Sequence, residues 1–105
     1  MSTSKATIKV LRAFLDRPSG DQYGFGLMRS TGVKSGSLYP ILEKLQHLGW
    51  IESHAEDIDE TVVGRPRRRL YRLTGLGESE GQKAVADFYR DLGPAPTWLP
   101  RLEPA

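Results

Sequence analysis

The chain contains no cysteine, and this absence excludes several kinds of chemistry at once. Without thiols it can have no disulfide framework, no thiolate metal site and no thiol redox switch. It also lacks a run of the roughly 18 apolar residues that a membrane-spanning helix needs. Its start shows no apolar segment of the kind found in a secretory signal. We therefore expect a cytoplasmic protein without a membrane partner.

Histidine is nearly absent as well, since only His47 and His54 occur. No motif places a carboxylate beside either of them, so no general acid–base pair is indicated. A metal site built from both histidines and Asp57 or Glu52 has no support in their spacing. We expect neither an enzyme, nor a metal, nor a cofactor.

A net positive charge is confined to one segment of the chain. The net charge is only +2, yet five arginines stand between residues 65 and 72. Removing those five charges leaves the other residues at −3, so the cationic character is local. A basic block on a mildly acidic background is better explained by a polyanion that docks on one face than by general solubility. Nucleic acid is the first candidate.

The length and composition favour one small globular domain. The chain has 105 residues, of which 38% are hydrophobic and 27% charged. A chain of this length buries roughly 60–65% of its unfolded surface, so its core is marginal. Small domains often gain stability by association, because association removes further apolar surface from water.

Two helices and a turn are indicated at the start of the chain. A first helix capped near Ser4 carries apolar residues at helical spacing and ends before Pro18. A short second helix covers residues 23–30. Gly32 then makes a tight connection, with Val33 inserting into the core. Helices joined by such a turn predict a helix-turn-helix unit.

The clearest helix covers about residues 35–48, where Leu38, Ile41, Leu42, Leu45 and Leu48 form an apolar stripe. The outward residues of its first turns are small or carry a hydroxyl: Ser35, Gly36, Ser37 and Tyr39. Such residues let a helix approach a groove closely, and the N–H groups at a helix start favour a phosphate. Ordinary capping is fully compatible with this role, and we expect at least one of the serines to cap the helix.

A strand, a charged loop and a second strand follow. Residues 50–53 and 69–73 have strand patterns and are expected to pair in antiparallel fashion. The loop between them, of roughly 14 residues, is long for a hairpin and is therefore functional or mobile. Its first half is acidic, with Glu56, Asp57, Asp59 and Glu60, and its second half is basic. The acids either shield the arginines when no nucleic acid is bound or are simply solvated.

A fourth helix starts near Thr74 and carries the apolar stripe Ala84, Val85, Phe88 and Leu92. We expect this stripe to form a dimer interface, with packing back onto the first helix as the alternative. The proline-rich segment from Pro94 onward is expected to be extended. Trp50 and Trp98 could line a cavity for a small hydrophobic effector together with Phe88. Alternatively, Trp50 packs in the strand core and Trp98 holds the tail against the domain or its partner.

The resulting fold class is mostly α with a small β-hairpin, arranged as a winged helix-turn-helix plus a C-terminal dimerisation helix. We place the DNA-binding domain at residues 1–74, the dimerisation helix at 75–93 and an extended tail at 94–105.

Several stretches together resemble one family. They are YGFGL at 23–27, SGSLYPILEKL at 35–45, LGWIE at 48–52, GRPR at 64–67 and YRLTGLG at 71–77. In this order and spacing they resemble the PadR-like transcriptional regulators. The resemblance implies a homodimer that binds double-stranded DNA, usually as a repressor. Its third helix would enter the major groove, and its wing would reach the adjacent minor groove or the backbone.

Carried over by position, the recognition role falls on Ser35, Ser37, Tyr39 and Lys44, and the wing role on Arg65, Arg67 and Arg68. Lys34, Gly36 and Tyr23 complete the expected DNA-binding set. Two departures from the family pattern are an additional arginine in the wing and Leu70 in place of a usual aromatic residue. The chain also resembles the short subgroup, which lacks a larger C-terminal domain. A winged-helix protein-interaction module, or an anti-repressor acting on another regulator, is the alternative function, although the arginine block speaks against it.

Overall fold

The computed structural model describes residues 3–92, which form five helices and three strands. The helices are α1 (Lys5–Asp16), α2 (Gly24–Thr31), α3 (Ser35–His47), α4 (Glu60–Val63) and α5 (Gly75–Leu92). The strands are β1 (Gln22–Tyr23), β2 (Ile51–Ala55) and β3 (Arg69–Leu73). This order confirms the predicted mostly α fold with a small antiparallel sheet. No helix within residues 3–92 is long and apolar enough to cross a membrane.

The helix-turn-helix follows from local capping. The Ser4 hydroxyl accepts a hydrogen bond from the Thr7 N–H and so caps α1, as predicted. Gly32 ends α2 at φ 75°, in the left-handed region that glycine adopts at little cost. Val33, which follows it, is buried.

The sheet has the order β1-β3-β2 and is antiparallel throughout. The expected hairpin is therefore a three-stranded sheet, because the two residues of β1 pair with Leu70 and Tyr71. Strand β2 begins at Ile51, one residue later than predicted, and extends to Ala55. Ile51 lies opposite Leu73, and both side chains are buried.

The core lies between α1, α2, α3, the sheet and α5. Its fully buried side chains include Phe14, Leu27, Leu38, Leu45 and Val85. The burial of Val85 corrects the expectation that this residue awaits a second chain. In the described chain α5 packs on α1, with Gly81 against Leu11 and Leu15. The expected boundary at residue 74 therefore does not separate two hydrophobic cores, because α5 shares the core of the preceding elements.

Gly77 and Thr74 fix the start of α5 against the end of α3. The Thr74 hydroxyl accepts a hydrogen bond from the Gly77 N–H and donates to the carbonyl of Gly49. A β-carbon at Gly77 would overlap the carbonyl of Trp50. Only glycine permits this approach without a shift of the backbone.

Candidate nucleic-acid interface

The first turn of α3 is open to solvent. Leu38, Leu42 and Leu45 hold the helix on the core, and the exposed face presents Ser35, Gly36, Ser37, Tyr39 and Lys44. Lys34 occupies the N-cap position with an extended backbone and makes no side-chain cap. Because Ser35 is already inside the helix, the expectation that a serine caps it is wrong. Among residues 3–92, the Ser35 and Ser37 hydroxyls have no hydrogen-bond partner.

The N–H groups at this helix start are partly unused. Ser37 and Leu38 donate to the carbonyl of Lys34, whereas the N–H groups of Ser35 and Gly36 find no acceptor in the described chain. A β-carbon at Gly36 would meet nothing within 4 Å. A ligand could therefore approach the backbone here closely. These two donors and the adjacent Lys34 ammonium would attract an anion.

Tyr39 and Gly24 connect α3 to α2. The Tyr39 side chain is 48% exposed, and its hydroxyl end lies where a β-carbon of Gly24 would stand. Gly24 itself is buried. The glycine at the start of α2 thus leaves room for the tyrosine to lie across it while keeping half of its surface in solvent.

The wing has a structure of its own. The segment between β2 and β3 contains α4, which sequence reasoning missed. Asp59 caps this helix by accepting from the N–H groups of Thr61 and Val62, and Gly64 ends it at φ 78°. The hydrogen bond from the Thr61 hydroxyl is the main cause that lowers the pKa of Asp59. An Asp followed by Thr and then by Gly after one turn is a capping signal that could have revealed this helix.

The arginines of the wing differ in what they contact. Arg65 donates from both terminal nitrogens to the Glu56 carboxylate, at 2.6 and 3.0 Å. The Arg68 guanidinium lies 4.1 Å from the centre of the Tyr23 ring, a cation–π contact. Arg67 donates to the carbonyl of Ile58 at 2.9 Å and remains exposed. Of the expected wing residues, Arg67 is therefore the most accessible.

Two further arginines of the block lie on β3. Arg69 is exposed, and its side chain makes no hydrogen bond or ion pair with the described residues. Arg72 donates to Asp21 at 3.0 Å, which ties β3 to the segment before β1. Sequence reasoning missed Arg69 as a candidate, although its place at the start of a strand beside the wing was visible in the sequence.

The Glu56 carboxylate carries the largest electrostatic perturbation in the wing. The hydrogen bond from the Arg65 side chain is the main cause that lowers the pKa of Glu56, to about 2. The N–H of Arg68 also donates to this carboxylate, at 3.2 Å. The same contact with Glu56 raises the pKa of Arg65. The ring of Tyr23, which is expected to bind DNA, lies against the Arg68 guanidinium of the wing.

A second surface is a groove beside α5, away from the start of α3 in the sequence. It has a volume of about 490 Å³ and is lined by Thr3, Trp50, Glu80, Lys83, Ala84, Asp87 and Phe88. Trp50 and Phe88 thus line one groove, as the effector hypothesis requires. Trp98 lies outside the described residues, and so does the side chain of Leu92. Within residues 3–92 no cluster of three or more His, Asp or Glu residues could hold a metal.

An exposed helix start after a tight turn, together with a three-stranded sheet and an arginine-rich wing, defines a winged helix-turn-helix protein. Residues 19–83 match the model of the transcriptional regulator PadR-like family. The chain therefore belongs to that family and is a transcriptional regulator of the DNA-binding type. A search of curated proteins gives no match.

Several solved structures share this fold. The protein smu.1704 from Streptococcus mutans UA159 is 27% identical, with a TM-score of 0.65 over 87% of this chain and 85% of that one. A PadR family transcription regulator from Clostridium difficile R20291 is 21% identical, with a TM-score of 0.65 over 85% and 91%. Reduced AbfR bound to DNA is 21% identical, with a TM-score of 0.64. That match covers 87% of this chain and 59% of AbfR.

Proposed function

We propose that this regulator is a homodimeric repressor that recognises a pseudo-palindromic DNA operator through α3 and the wing. The observation that carries the proposal is the open start of α3. Two unused N–H groups, an exposed lysine and two hydroxyls without partners face solvent there. A helix start of this composition can enter a major groove and hold a phosphate at its end.

The residues of this surface divide by what they can contact. Ser35, Gly36 and Ser37 reach the groove first, because they lie on the first turn. Lys34 and Tyr39 flank them and suit phosphate oxygens, which set register without reading sequence. Lys44 lies farther along the helix, where contact with the DNA backbone is the natural role. The relative AbfR, whose structure holds DNA, shares this fold.

The wing adds a second contact. Arg67, Arg69 and Arg72 are the exposed arginines of the block, and Arg72 is paired with Asp21, which leaves Arg67 and Arg69 for the DNA. A narrow, electronegative minor groove attracts arginine, so the wing would report the shape of the DNA more than the identity of its bases.

Dimerisation is assigned to the exposed part of the α5 stripe. Ala84 and Phe88 line the groove beside Trp50, and they are only partly buried in the single chain. A second copy would cover them. Residues 75–93 would then serve as the dimerisation segment, with its helix also contributing Val85 to the core of its own chain. The two α3 helices of the dimer should meet half-sites about 10 bp apart, or a multiple of that spacing.

The direct test is fluorescence anisotropy with the DNA upstream of the coding region at two salt concentrations, against a scrambled competitor. We expect tight, salt-sensitive binding that the competitor does not displace. Arg69→Ala should lower the salt slope by about 0.9 for each phosphate that the protein no longer neutralises. Arg90→Gln, which removes one positive charge from α5, should leave the slope unchanged. Equal binding to both DNAs would refute sequence-specific recognition.

One observation favours the alternative of a protein-interaction module. Val62 and Val63 of α4 are 80% and 48% exposed, and acidic residues precede them. Apolar side chains beside carboxylates suit a protein surface better than DNA. If Val62→Ser and Val63→Ser together leave DNA affinity unchanged but abolish regulation in cells, the wing tip contacts another protein.

An effector could act at the groove beside α5. Trp50 and Phe88 provide apolar walls there, and the groove has room for a small flat hydrophobic molecule. Quenching of Trp50 fluorescence by such a molecule, in a Trp98→Phe background, would support this assignment. If the DNA complex persists at saturating ligand, binding in this groove does not regulate DNA binding.

A further inference from the structure

Glu56 makes hydrogen bonds with two separate residues of the wing. Its carboxylate accepts two hydrogen bonds from Arg65 and one from the N–H of Arg68. Its own N–H donates to the carbonyl of Arg68 at 2.7 Å, which continues the β2–β3 pairing by one step. The Glu56 side chain is only 17% exposed, whereas the Glu60 side chain is 52% exposed. One residue thus holds both ends of the wing loop.

Arg65 is held more completely than the neighbouring arginines. Both of its terminal nitrogens face one carboxylate, and Nη1 also donates to the carbonyl of Pro66 at 3.2 Å. A bidentate arginine–carboxylate pair is the strongest and most directional of the ion pairs that proteins make. Arg69, by contrast, has no hydrogen bond or ion pair among the described residues. The five arginines of the block therefore differ in what they contact.

We propose that Glu56 and Arg65 form an internal clamp that sets the shape of the wing before DNA arrives. Arg65 is then a positioning residue, and Arg67 and Arg69 make the phosphate contacts. The proposal rests on the proposed DNA-binding function.

The reason to prefer a clamp over a masked DNA ligand is electrostatic. For Arg65 to reach a phosphate it would have to leave Glu56, and the bared carboxylate would then stand beside the negative DNA backbone. The N–H of Arg68 would lose the same acceptor. A retained clamp avoids both costs. The clamp also orders the loop during folding, so the loop loses little further conformational entropy when the protein binds DNA.

Four proteins test this by anisotropy: the wild type, Glu56→Ala, Arg65→Ala and the double variant. The two single changes alter the net charge in opposite directions, so long-range attraction alone predicts opposite effects on affinity. The clamp predicts that both weaken binding by about three- to tenfold, and that the double variant is no weaker than the worse single one. The salt slope should stay at the wild-type value in all of them. Arg69→Ala should lower the slope.

A measurement without DNA separates the clamp from the DNA-binding proposal. Amide hydrogen exchange at Arg68 and Gly64 should accelerate about tenfold or more in Glu56→Ala and in Arg65→Ala, while amides of α1 and α3 remain protected. Glu56→Gln, which keeps an acceptor oxygen, should restore part of the protection. If exchange accelerates but the wild type binds no DNA, the clamp stands and the function proposal fails.

Two results would overturn the clamp. The first is unchanged exchange at Arg68 and Gly64 in both variants. The second is tighter binding with a steeper salt slope in Glu56→Ala, together with a lower slope in Arg65→Ala. That second pattern would show that Arg65 is a phosphate ligand which Glu56 masks.

Discussion

The Arg12 side chain of α1 donates a hydrogen bond of 2.6 Å to the hydroxyl of Tyr89 on α5. Its guanidinium carbon also lies 5.5 Å from the centre of the Tyr89 ring. The Nε of Arg12 is buried and has no partner within residues 3–92. The pair therefore joins α5 to α1 through a side chain that has one buried nitrogen without a hydrogen bond.

Replacing Tyr89 by Phe removes the acceptor for Arg12 but keeps the ring. We expect the free energy of unfolding to fall by about 1 kcal/mol, since the site is only partly buried. Arg90→Gln, which breaks the exposed pair with Asp87, should cost less than about 0.5 kcal/mol. Urea unfolding at one fixed protein concentration measures both. Equal effects would mean that the Arg12–Tyr89 bond does not stabilise the packing of α5.

Gly77 and Gly75 provide a matched pair at the start of α5. Alanine at Gly77 would overlap the Trp50 carbonyl, and we expect a loss of about 2–4 kcal/mol in stability. Alanine at Gly75 would meet nothing within 4 Å and should change stability by less than about 1 kcal/mol. Thermal unfolding of the two variants compares them directly. Similar melting temperatures would contradict the close approach of α5 to Trp50.

The helices that form the core could be predicted from the sequence because their signals are local. Leu38, Leu42 and Leu45 recur at helical spacing, and glycines after α2 and α3 mark the ends of both helices. The same spacing predicted the stripe of α5. It could not show that Val85 faces the same chain, because an apolar residue carries no information on which surface will cover it.

The missed features depend on contacts between distant residues. Strand β1 has only two residues, Gln22 and Tyr23, so it has no periodicity and exists through pairing with β3. The sequence alone could not show which of the four acidic residues of the loop pairs with Arg65. Of these acids, Glu56 pairs with Arg65 and Asp59 caps α4, while the choice between shielding and solvation of the loop stays a prediction.

The pKa of Glu56 defines the pH range over which its pair with Arg65 stabilises the wing. Because this pKa is lowered from 4.5 to about 2, the stability that the pair contributes is fully present above 4.5. It is lost as the pH falls toward about 2. A carboxyl carbon titration by NMR should give a midpoint near 2 in the wild type. In Arg65→Ala the midpoint should rise toward 4.5, because the main cause of the shift is removed. The same midpoint in both proteins would contradict the pairing.

The groove beside α5 makes a prediction about assembly. Phe88→Glu places a charge on the face proposed to pair, so we expect a monomer in analytical ultracentrifugation and weaker binding to a two-half-site operator. Phe25→Glu is the control, because Phe25 is 59% exposed on α2 and outside that groove. Circular dichroism should show both variants folded. A Phe88→Glu dimer of unchanged stability would place the interface elsewhere.

Gly36 separates the stability of α3 from its function. Alanine there would meet nothing within 4 Å and favours the helix, so we expect stability to rise by about 0.5–1 kcal/mol. Affinity for the operator should fall by about tenfold or more, because the added methyl group keeps the helix start from the groove floor. Gly75→Ala is the matched control, since it also adds a methyl group to the first turn of a helix and should leave DNA binding unchanged. Opposite changes in stability and affinity at Gly36 would identify a contact surface, whereas unchanged affinity would exclude a close approach of this turn to DNA.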